Sequence, residues 1–336
     1  MIKERLVKIL VTGADGMLGS HVVRELLERG ATVRALLQPG RQTGTLDGLK
    51  IERVEGDLLQ PESVRRALEG CDAVIHTAAN TQIWPSRDRK IWAVNYEAVK
   101  VLAEAVLQLG LSTFVHVGTA TSFSPGPKEQ PGTEEGPYTD GKYGLDYQDS
   151  KYSAQQLLLK MHREQGLPVK ILNPSFMFGA YDSKPGAGQM ILSVYAGKTP
   201  GYTSGGKSYV AARDVAAAAA NALERGEYGQ CYITGGENLD YGEAFRLIAG
   251  TLGVKAPGLK IPNFLVDAMG LVGSLWGRIS GQAPFLSYPM ARISHADCYY
   301  SNRRAVEELE MTQTDLQTAI LECFNWLKEN GYVADE

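Results

Sequence analysis

Residues 6–37 read LVKILVTGADGMLGSHVVRELLERGATVRALL. Leu6–Thr12 is an apolar run of strand length. Gly13-Ala14-Asp15-Gly16-Met17-Leu18-Gly19 follows and opens an amphipathic segment, Met17–Arg29. Gly30-Ala31-Thr32 then leads into a second apolar run, Val33–Leu37. Strand, glycine turn, helix and strand within about 30 residues form the unit in which such a turn holds a dinucleotide. The first glycine allows the tight turn, the second lets backbone N–H groups approach a pyrophosphate, and the third packs helix against strand. The helix N-terminus adds positive partial charge beneath the phosphates. Gly13, Asp15, Gly16, Met17, Leu18 and Gly19 are therefore candidate cofactor contacts. The spacing is G-x-x-G-x-x-G, which an ordinary glycine-rich turn would also produce.

The tip of the second strand bears on which dinucleotide is held. An acid there would bind a ribose 2′-hydroxyl, and a base would bind a 2′-phosphate. The tip reads Leu37-Gln38-Pro39-Gly40-Arg41, without an acid. Arg34 and Arg41 are candidate 2′-phosphate partners beside Gln38. The competing reading makes both plain surface arginines. The expectation is NADP(H), with NAD(H) as the alternative.

Tyr147 and Lys151 form a second informative pair. Four residues apart on a helix, phenol and ammonium share one face. A free tyrosine titrates near pH ~10. A neighbouring ammonium favours the phenolate, which lets tyrosine serve as a general acid or base near neutral pH. Thr119, at a strand end, offers a hydroxyl that can hold a carbonyl oxygen against the phenol. Tyr143 and Tyr152 lie close by, but neither has a lysine four residues later. This is a hydride-transfer constellation beside a nucleotide fold.

Further strand-like runs recur at 51–55, 73–76, 113–117, 169–172, 209–211 and 231–234, with helical patterns at 61–69, 89–109, 148–163 and 212–225. The alternation predicts an α/β fold, a Rossmann-type doubly wound parallel sheet of about seven strands. Ligands bind beyond the carboxyl ends of such strands, where Gly13, Asp57, Thr77-Ala78-Ala79, Thr119 and Asn173-Pro174 stand. After Asn173 the pattern changes to Gly/Pro/Ser-rich loops and irregular helix. The expected division is a nucleotide-binding domain of 1–173 and 207–234, with a smaller, mostly helical, discontinuous substrate domain of 174–206 and 235–330. Within the latter, PNFLVDAMGLVGSLWGRI (262–279) is notably apolar. It reads either as an amphipathic helix covering a pocket or as an exposed patch for a lipid-like substrate or membrane surface.

At 336 residues the chain can bury a large core. Its net charge of −4 leaves no basic footprint for nucleic acid. No run reaches ~18 uninterrupted apolar residues, so no transmembrane helix is expected. Met1–Arg5 lacks a signal-peptide layout. The four cysteines are scattered without metal spacing, so no metal is expected and the thiols read as reduced. A cytoplasmic location follows as the expectation.

Thr12-Gly13-x-x-Gly16-x-x-Gly19, Gly56-Asp57, His76-Thr77-Ala78-Ala79, Asn95, Thr119, Tyr147-x-x-Ser150-Lys151, Asn173-Pro174, Gly179 and Arg213-Asp214-Val215 occur in order. With them the chain resembles the extended short-chain dehydrogenase/reductase superfamily (NAD-dependent epimerases and dehydratases) over nearly its whole length. Gly179-Ala-Tyr-Asp-Ser-Lys-Pro185 with Gly201-Tyr-Thr-Ser-Gly-Gly-Lys207 is most similar to the dihydroflavonol-4-reductase-like group.

The resemblance implies that Asp57 and the Leu58 backbone contact the adenine. The competing reading makes Asp57 a cap for the helix near Pro61. It implies that Thr77, Ala78 and Ala79 run beneath the cofactor's ribose and nicotinamide, and that Asn173, Pro174 and Phe176 border the nicotinamide. Thr119 would hold the substrate oxygen, and Tyr147 would be the general acid and base. Lys151 would also bind the nicotinamide ribose, and Asn95 would brace the helix carrying the pair.

Three chemistries share this scaffold. Dehydratases of the family carry an acid pair after the hydroxyl residue, but Ala120 and Thr121 follow Thr119. Nucleotide-sugar epimerases need cationic clamps, for which Asn173, Lys207 and Arg292 are candidates. Carbonyl reductases need the hydride, the acid and an apolar pocket. Trp84, Phe123, Asn173, Lys207 and Arg292 are the candidate substrate contacts. The expected function is NADP(H)-preferring reduction of a ketone or aldehyde. An epimerase with tightly held NAD is the alternative, and a non-catalytic nucleotide sensor is a third reading that the Tyr147/Lys151 pair disfavours. The resemblance also implies a homodimer through helices 89–109 and 148–163, with Val94, Ala98, Val101, Leu102 and Ala105 compatible.

Overall fold

The computed structural model describes residues 7–41 and 43–333. Leu6, at the head of the first expected strand, lies outside them. Strand β1 (Lys8–Thr12) is buried from Ile9 onward. A continuous apolar run is what a parallel strand covered on both faces requires. Helix α1 (Met17–Glu28) buries Leu18, Val22, Val23 and Leu26, a helical stripe that lies against the sheet. Gly30, at φ +79°, turns the chain into β2 (Thr32–Leu37).

The chain then passes through β3 (Glu52–Glu55), α2 (Pro61–Leu68), β4 (Ala73–His76), α3 (Arg89–Trp92), α4 (Ala98–Leu109), β5 (Thr113–Val117), α5 (Asp146–Gln165) and β6 (Val169–Pro174). It continues through β7 (Phe176–Phe178), α6 (Gly188–Tyr195), β8 (Gly206–Ala211), α7 (Ala212–Asn221) and β9 (Cys231–Thr234). Strands β3-β2-β1-β4-β5-β6-β9 form one sheet of seven, every pair parallel. This is the predicted α/β architecture. The order reverses between β1 and β4, the switch point at which such sheets bind ligands.

A second, four-stranded sheet gathers around β8. β10 (Glu237–Asp240) pairs antiparallel with it, while β7 and β11 (Asp297–Cys298) pair parallel. The run at 209–211, grouped by its spacing with the large sheet, thus belongs to the smaller one. Burial on both faces gives the same apolar run in either sheet, so pattern could not assign it. The remaining helices are α8 (Tyr241–Leu252), α9 (Asn263–Ser280), α10 (Tyr288–Ile293), α11 (Arg303–Leu309) and α12 (Leu316–Glu329).

The helical pattern at 89–109 is one continuous path, but Ala93–Glu97 is a π-helical turn between α3 and α4. Such turns are frequent at functional sites, and this one carries Asn95. Of the positions considered for a dimer face, Ala98, Leu102 and Ala105 are buried. Leu102 and Ala105 pack with Val74 and Phe114 in the chain's own core. Val94 and Val101 are half-buried.

Candidate active site

The glycine turn sits at the switch point. Gly13 has φ +69°, and a Cβ there would lie 2.6 Å from the Ala78 Cα. Only glycine permits that approach. Thr77 Oγ1 donates to the carbonyls of Thr12 and Gly13 at 2.8 and 3.2 Å, tying the end of β4 to the turn. A Cβ at Gly19 would collide with the Gly13 carbonyl, so the third glycine sets the helix close to the strand, as predicted. Gly16 caps α1 without a side-chain hydrogen bond, and the first turn holds no acid. The N–H groups that begin α1 are thus free of a competing carboxylate. Met17 is half-buried and Leu18 buried behind them.

The two arginines expected near the ribose separate. Arg34 is buried; its Nη1 donates to the Ala67 and Glu69 carbonyls at 2.8 and 2.7 Å. Its Nη2 pairs with Glu52 at 2.9 Å. Register explains this, because Arg34 stands opposite Glu52 on β3, so its guanidinium is spent fastening β2, β3 and the end of α2. The expectation that Arg34 contacts the cofactor is corrected. Arg41 reaches the glycine turn instead, with Nε 2.6 Å from Asp15 Oδ2, and is 40% exposed. Gln38 is exposed beside it. Asp57 is not the cap of α2, where Gln60 stands. Its carboxylate accepts from Leu59 N at 2.9 Å and remains exposed, with Leu58 half-buried. Ala78 is half-buried and Ala79 exposed at the end of β4.

Thr119 follows β5 and is 7% exposed. Its hydroxyl lies beside the Tyr147 phenol and 3.0 Å from the Thr121 hydroxyl. Tyr147 stands in the first turn of α5, half-buried. Lys151, one turn on and 2% exposed, donates to the Val117 carbonyl at 2.5 Å. The fold therefore brings Thr119, Tyr147 and Lys151 together.

The electrostatics differ from the expected pattern. Burial raises the Tyr147 pKa, with the Thr119 hydrogen bond acting the other way. Burial lowers Lys151 to about 8. Desolvation thus dominates both groups, and the phenol is held protonated at neutral pH. Two histidines that the sequence reading gave no catalytic role lie near Lys151. His76 stacks on His116 at 5.4 Å and shares a 2.6 Å hydrogen bond with Thr12. Both are fully buried. Burial, then the charge of Lys151, takes His76 down to about 3 and His116 well below its ordinary value.

Asn95 is 1% exposed. Its Nδ2 donates to the Asn80 carbonyl at 3.0 Å and to Ser150 Oγ at 3.2 Å. Its Oδ1 accepts from Asn80 N at 2.8 Å. The side chain thus joins the segment after β4 to the residue beside Lys151, the bracing contact expected of it. Asp146 pins the other approach, accepting from Arg87 Nη1 and Asp88 N, each at 2.7 Å.

The candidate substrate residues scatter. Asn173 is fully buried and donates to the Thr119 carbonyl and to Gln155 Oε1 at 2.9 and 2.8 Å. Its Nδ2 thus braces the Thr119 backbone, while its Oδ1 has no partner. Phe123 is 6% exposed and packs in the core with Leu158 and Tyr300. Arg292 is half exposed and its Nη1 is 3.8 Å from Asp267. Trp84 is half-buried. Pro174 ends β6, and Phe176 opens β7 with the Lys207 ammonium 5.2 Å above its ring.

Lys207 gathers a cluster that the sequence did not reveal. Its ammonium lies beside the Tyr241 phenol. Burial alone would lower its pKa, but Tyr241, Cys298 and Asp140 more than offset this and raise it. Burial raises Asp140 to about 6 against the pull of Lys142 and Lys207, and Gln148 Nε2 donates to it at 3.0 Å. One available signal was the capping box of Asp240 and Glu243, whose D-x-x-E spacing marks the start of α8 and so the position of Tyr241.

The model of the NAD dependent epimerase/dehydratase family matches residues 9–235. The chain belongs to that family. It is 30% identical over 330 residues to sterol demethylase protein B of Methylococcus capsulatus, covering 96% of this chain and 99% of that one. It is 28% identical over 328 residues to a Synechocystis protein provisionally named a dihydroflavonol 4-reductase, covering 96% and 95%. The crystal structure of gox2253 superposes with a TM-score of 0.86 at 32% identity, over 98% of this chain and all of that one. The chain is an oxidoreductase of this NAD-dependent family, and the residues at the switch point suit its nucleotide. The Gly13 position is free of any side chain, and the start of α1 is uncapped and free of acid.

Proposed function

We propose that this family member is an NADP(H)-preferring oxidoreductase that interconverts a ketone or aldehyde and its alcohol, in the manner of the dihydroflavonol-4-reductase-like group. The observation that carries the reading is the Tyr147 phenol set beside the Thr119 hydroxyl, one helical turn from buried Lys151. The backbone of Gly13–Leu18 would hold the pyrophosphate, Asp57 and Leu58 the adenine, and Arg41 with Gln38 the 2′-phosphate. Ala78, Ala79, Pro174 and Phe176 would border the nicotinamide. A bound nicotinamide supplies the hydride.

Thr119 orients the carbonyl oxygen, and Tyr147 gives that oxygen its phenolic proton. Burial keeps the phenol protonated at neutral pH, so Tyr147 meets the carbonyl in its proton-donating form, while the direction of turnover follows the cofactor ratio. Lys151, an ammonium below about pH 8, can stabilise the tyrosinate left behind. Asn95 keeps that lysine's helix in place. The substrate is a small lipophilic carbonyl compound, with Trp84, Phe176 and Lys207 nearest its non-reacting part. The sterol named for the Methylococcus relative supports that class.

A nucleotide-sugar epimerase is disfavoured. Of its three clamp candidates, Asn173 has both observed hydrogen bonds from its Nδ2 directed inside the fold and Arg292 is paired with Asp267. The domain division at 173/174, 206/207 and 234/235, a cytoplasmic location and a homodimer through α4 and α5 belong to the same reading.

Calorimetry with NADPH and NADH, on protein checked for retained nucleotide, tests it. Preference for NADPH, followed by turnover of hydrophobic ketones that Tyr147→Phe abolishes without loss of NADPH binding, is the expected result. Retained NAD⁺ with no response to NADPH would overturn it in favour of the epimerase.

A further inference from the structure

Helix α9 is built inside out for a protein in water. Its buried residues are Val266, Gly270 and Gly277. A Cβ at Gly270 would meet Ala291 and one at Gly277 would meet Trp84, while one at Gly273 would strike the Leu286 carbonyl. The glycines thus form the face laid against α10 and the 282–288 turn. The large apolar side chains point the other way. Phe264, Val272, Leu275, Trp276 and Ile279 are between 61% and 73% exposed, and Phe285 on the following turn is 93% exposed. At about 100° per residue they occupy one continuous side of the helix. Packing through glycine leaves that side fully presented. This favours the exposed-patch reading of 262–279, since the large apolar side chains of the helix are the ones left outside.

The charges around the patch select its occupant. Residues 253–297 hold four cations, Lys255, Lys260, Arg278 and Arg292, against two acids, Asp267 and Asp297. Asp267 is already matched by His295 at 3.0 Å and Arg292 at 3.8 Å. A chain with net charge −4 therefore carries a local excess of cations in the segment that bears this exposed apolar face. Two copies meeting through this face would bring like-charged segments together. An anionic lipid surface complements both the apolar side and the cations. Among the described residues no helix is long and apolar enough to cross a membrane, and Asp267 and Arg278 interrupt α9. The helix would lie in the interface plane.

We infer that the outer face of α9 and the Phe285 turn dock on an anionic bilayer surface. The placement serves the candidate site. Gly277 packs on Trp84, and the segment after Trp84 is fixed through Arg87 to Asp146, the neighbour of Tyr147. A lipophilic substrate would then pass from the bilayer to the site without crossing water.

Co-sedimentation with vesicles tests the inference without any turnover measurement, so its failure is distinct from failure of the reductase reading. The vesicles are phosphatidylcholine alone and phosphatidylcholine mixed with phosphatidylglycerol. Wild type is expected to bind the mixed vesicles roughly ten-fold better, with the preference falling as salt is raised. A blue shift of tryptophan emission on binding should be lost in Trp276→Phe. Leu275→Ser/Ile279→Ser should stay in the supernatant while keeping the wild-type unfolding temperature, since both side chains are exposed. Arg278→Glu should lose the anionic preference. Wild type that stays in the supernatant with both vesicles overturns the inference, as does a double variant that binds like wild type. Light scattering that shows a dimer split by the double variant, with no vesicle binding, would assign the face to a second copy instead.

Discussion

Lys151 Nζ donates to the Val117 carbonyl at 2.5 Å, so the ammonium expected beside the phenol is anchored to the last residue of β5. The anchor fixes the helix that carries Tyr147 against the sheet. It also leaves a cation in a dry site, and that has a measurable consequence.

Lys151 sheds its proton near pH 8 in the folded chain and near pH ~10.4 when unfolded. Between these values the unfolded chain binds more protons, so stability rises with pH. Below pH 8 the buried charge costs at most on the order of 2–3 kcal/mol. Lys151→Met should therefore be more stable than wild type at pH 7, with the difference shrinking toward pH 10. Urea unfolding of both proteins across that range checks this, and a pH-independent difference would count against it.

His76 and His116 act at the acid end. His76 titrates near pH 3 when folded and near ~6.5 when unfolded. As pH falls below 6.5 the unfolded chain takes up a proton that the folded chain refuses, and stability falls. His76→Gln keeps a neutral hydrogen-bonding group facing Thr12. It should cost stability at pH 7, yet escape on the order of 2–3 kcal/mol of the loss that wild type suffers by pH 4.5. Thermal unfolding at both pH values gives the comparison.

Arg34 and Arg41 should behave differently under the same substitution. Arg34→Ala leaves the Ala67 and Glu69 carbonyls without their donor and should cost about 2–3 kcal/mol, with the NADPH/NADH affinity ratio unchanged. Arg41→Ala should leave stability within about 0.5 kcal/mol and weaken NADPH roughly ten-fold more than NADH. Equal losses for the two coenzymes would remove Arg41 from the 2′-phosphate.

Gly19→Ala places a methyl on the Gly13 carbonyl. The turn must open to admit it, at a cost of about 1–3 kcal/mol. NADPH titration should show affinity falling by at least an order of magnitude. Gly30→Ala is the control. It strains a positive φ but meets nothing within 4 Å, and should lower stability with cofactor affinity intact.

The sequence by itself determined the βαβ unit, the alternation that makes a parallel sheet, and the Tyr147/Lys151 face. Each rests on local geometry: the period of a strand or helix, and the freedom of glycine at a tight turn. It could not decide the fate of Arg34, because only the pairing of β2 with β3 sets that residue opposite Glu52. Nor could it show where the Asn173 Nδ2 donates, because its partners Thr119 and Gln155 come from other segments. The direction of the Tyr147 shift was likewise hidden, since desolvation depends on everything packed around the phenol. In α9 periodicity shows which side chains share a face, but not which face meets the protein. Tertiary structure decided that by setting the glycine side against α10, because only there can two backbones approach closely enough to pack.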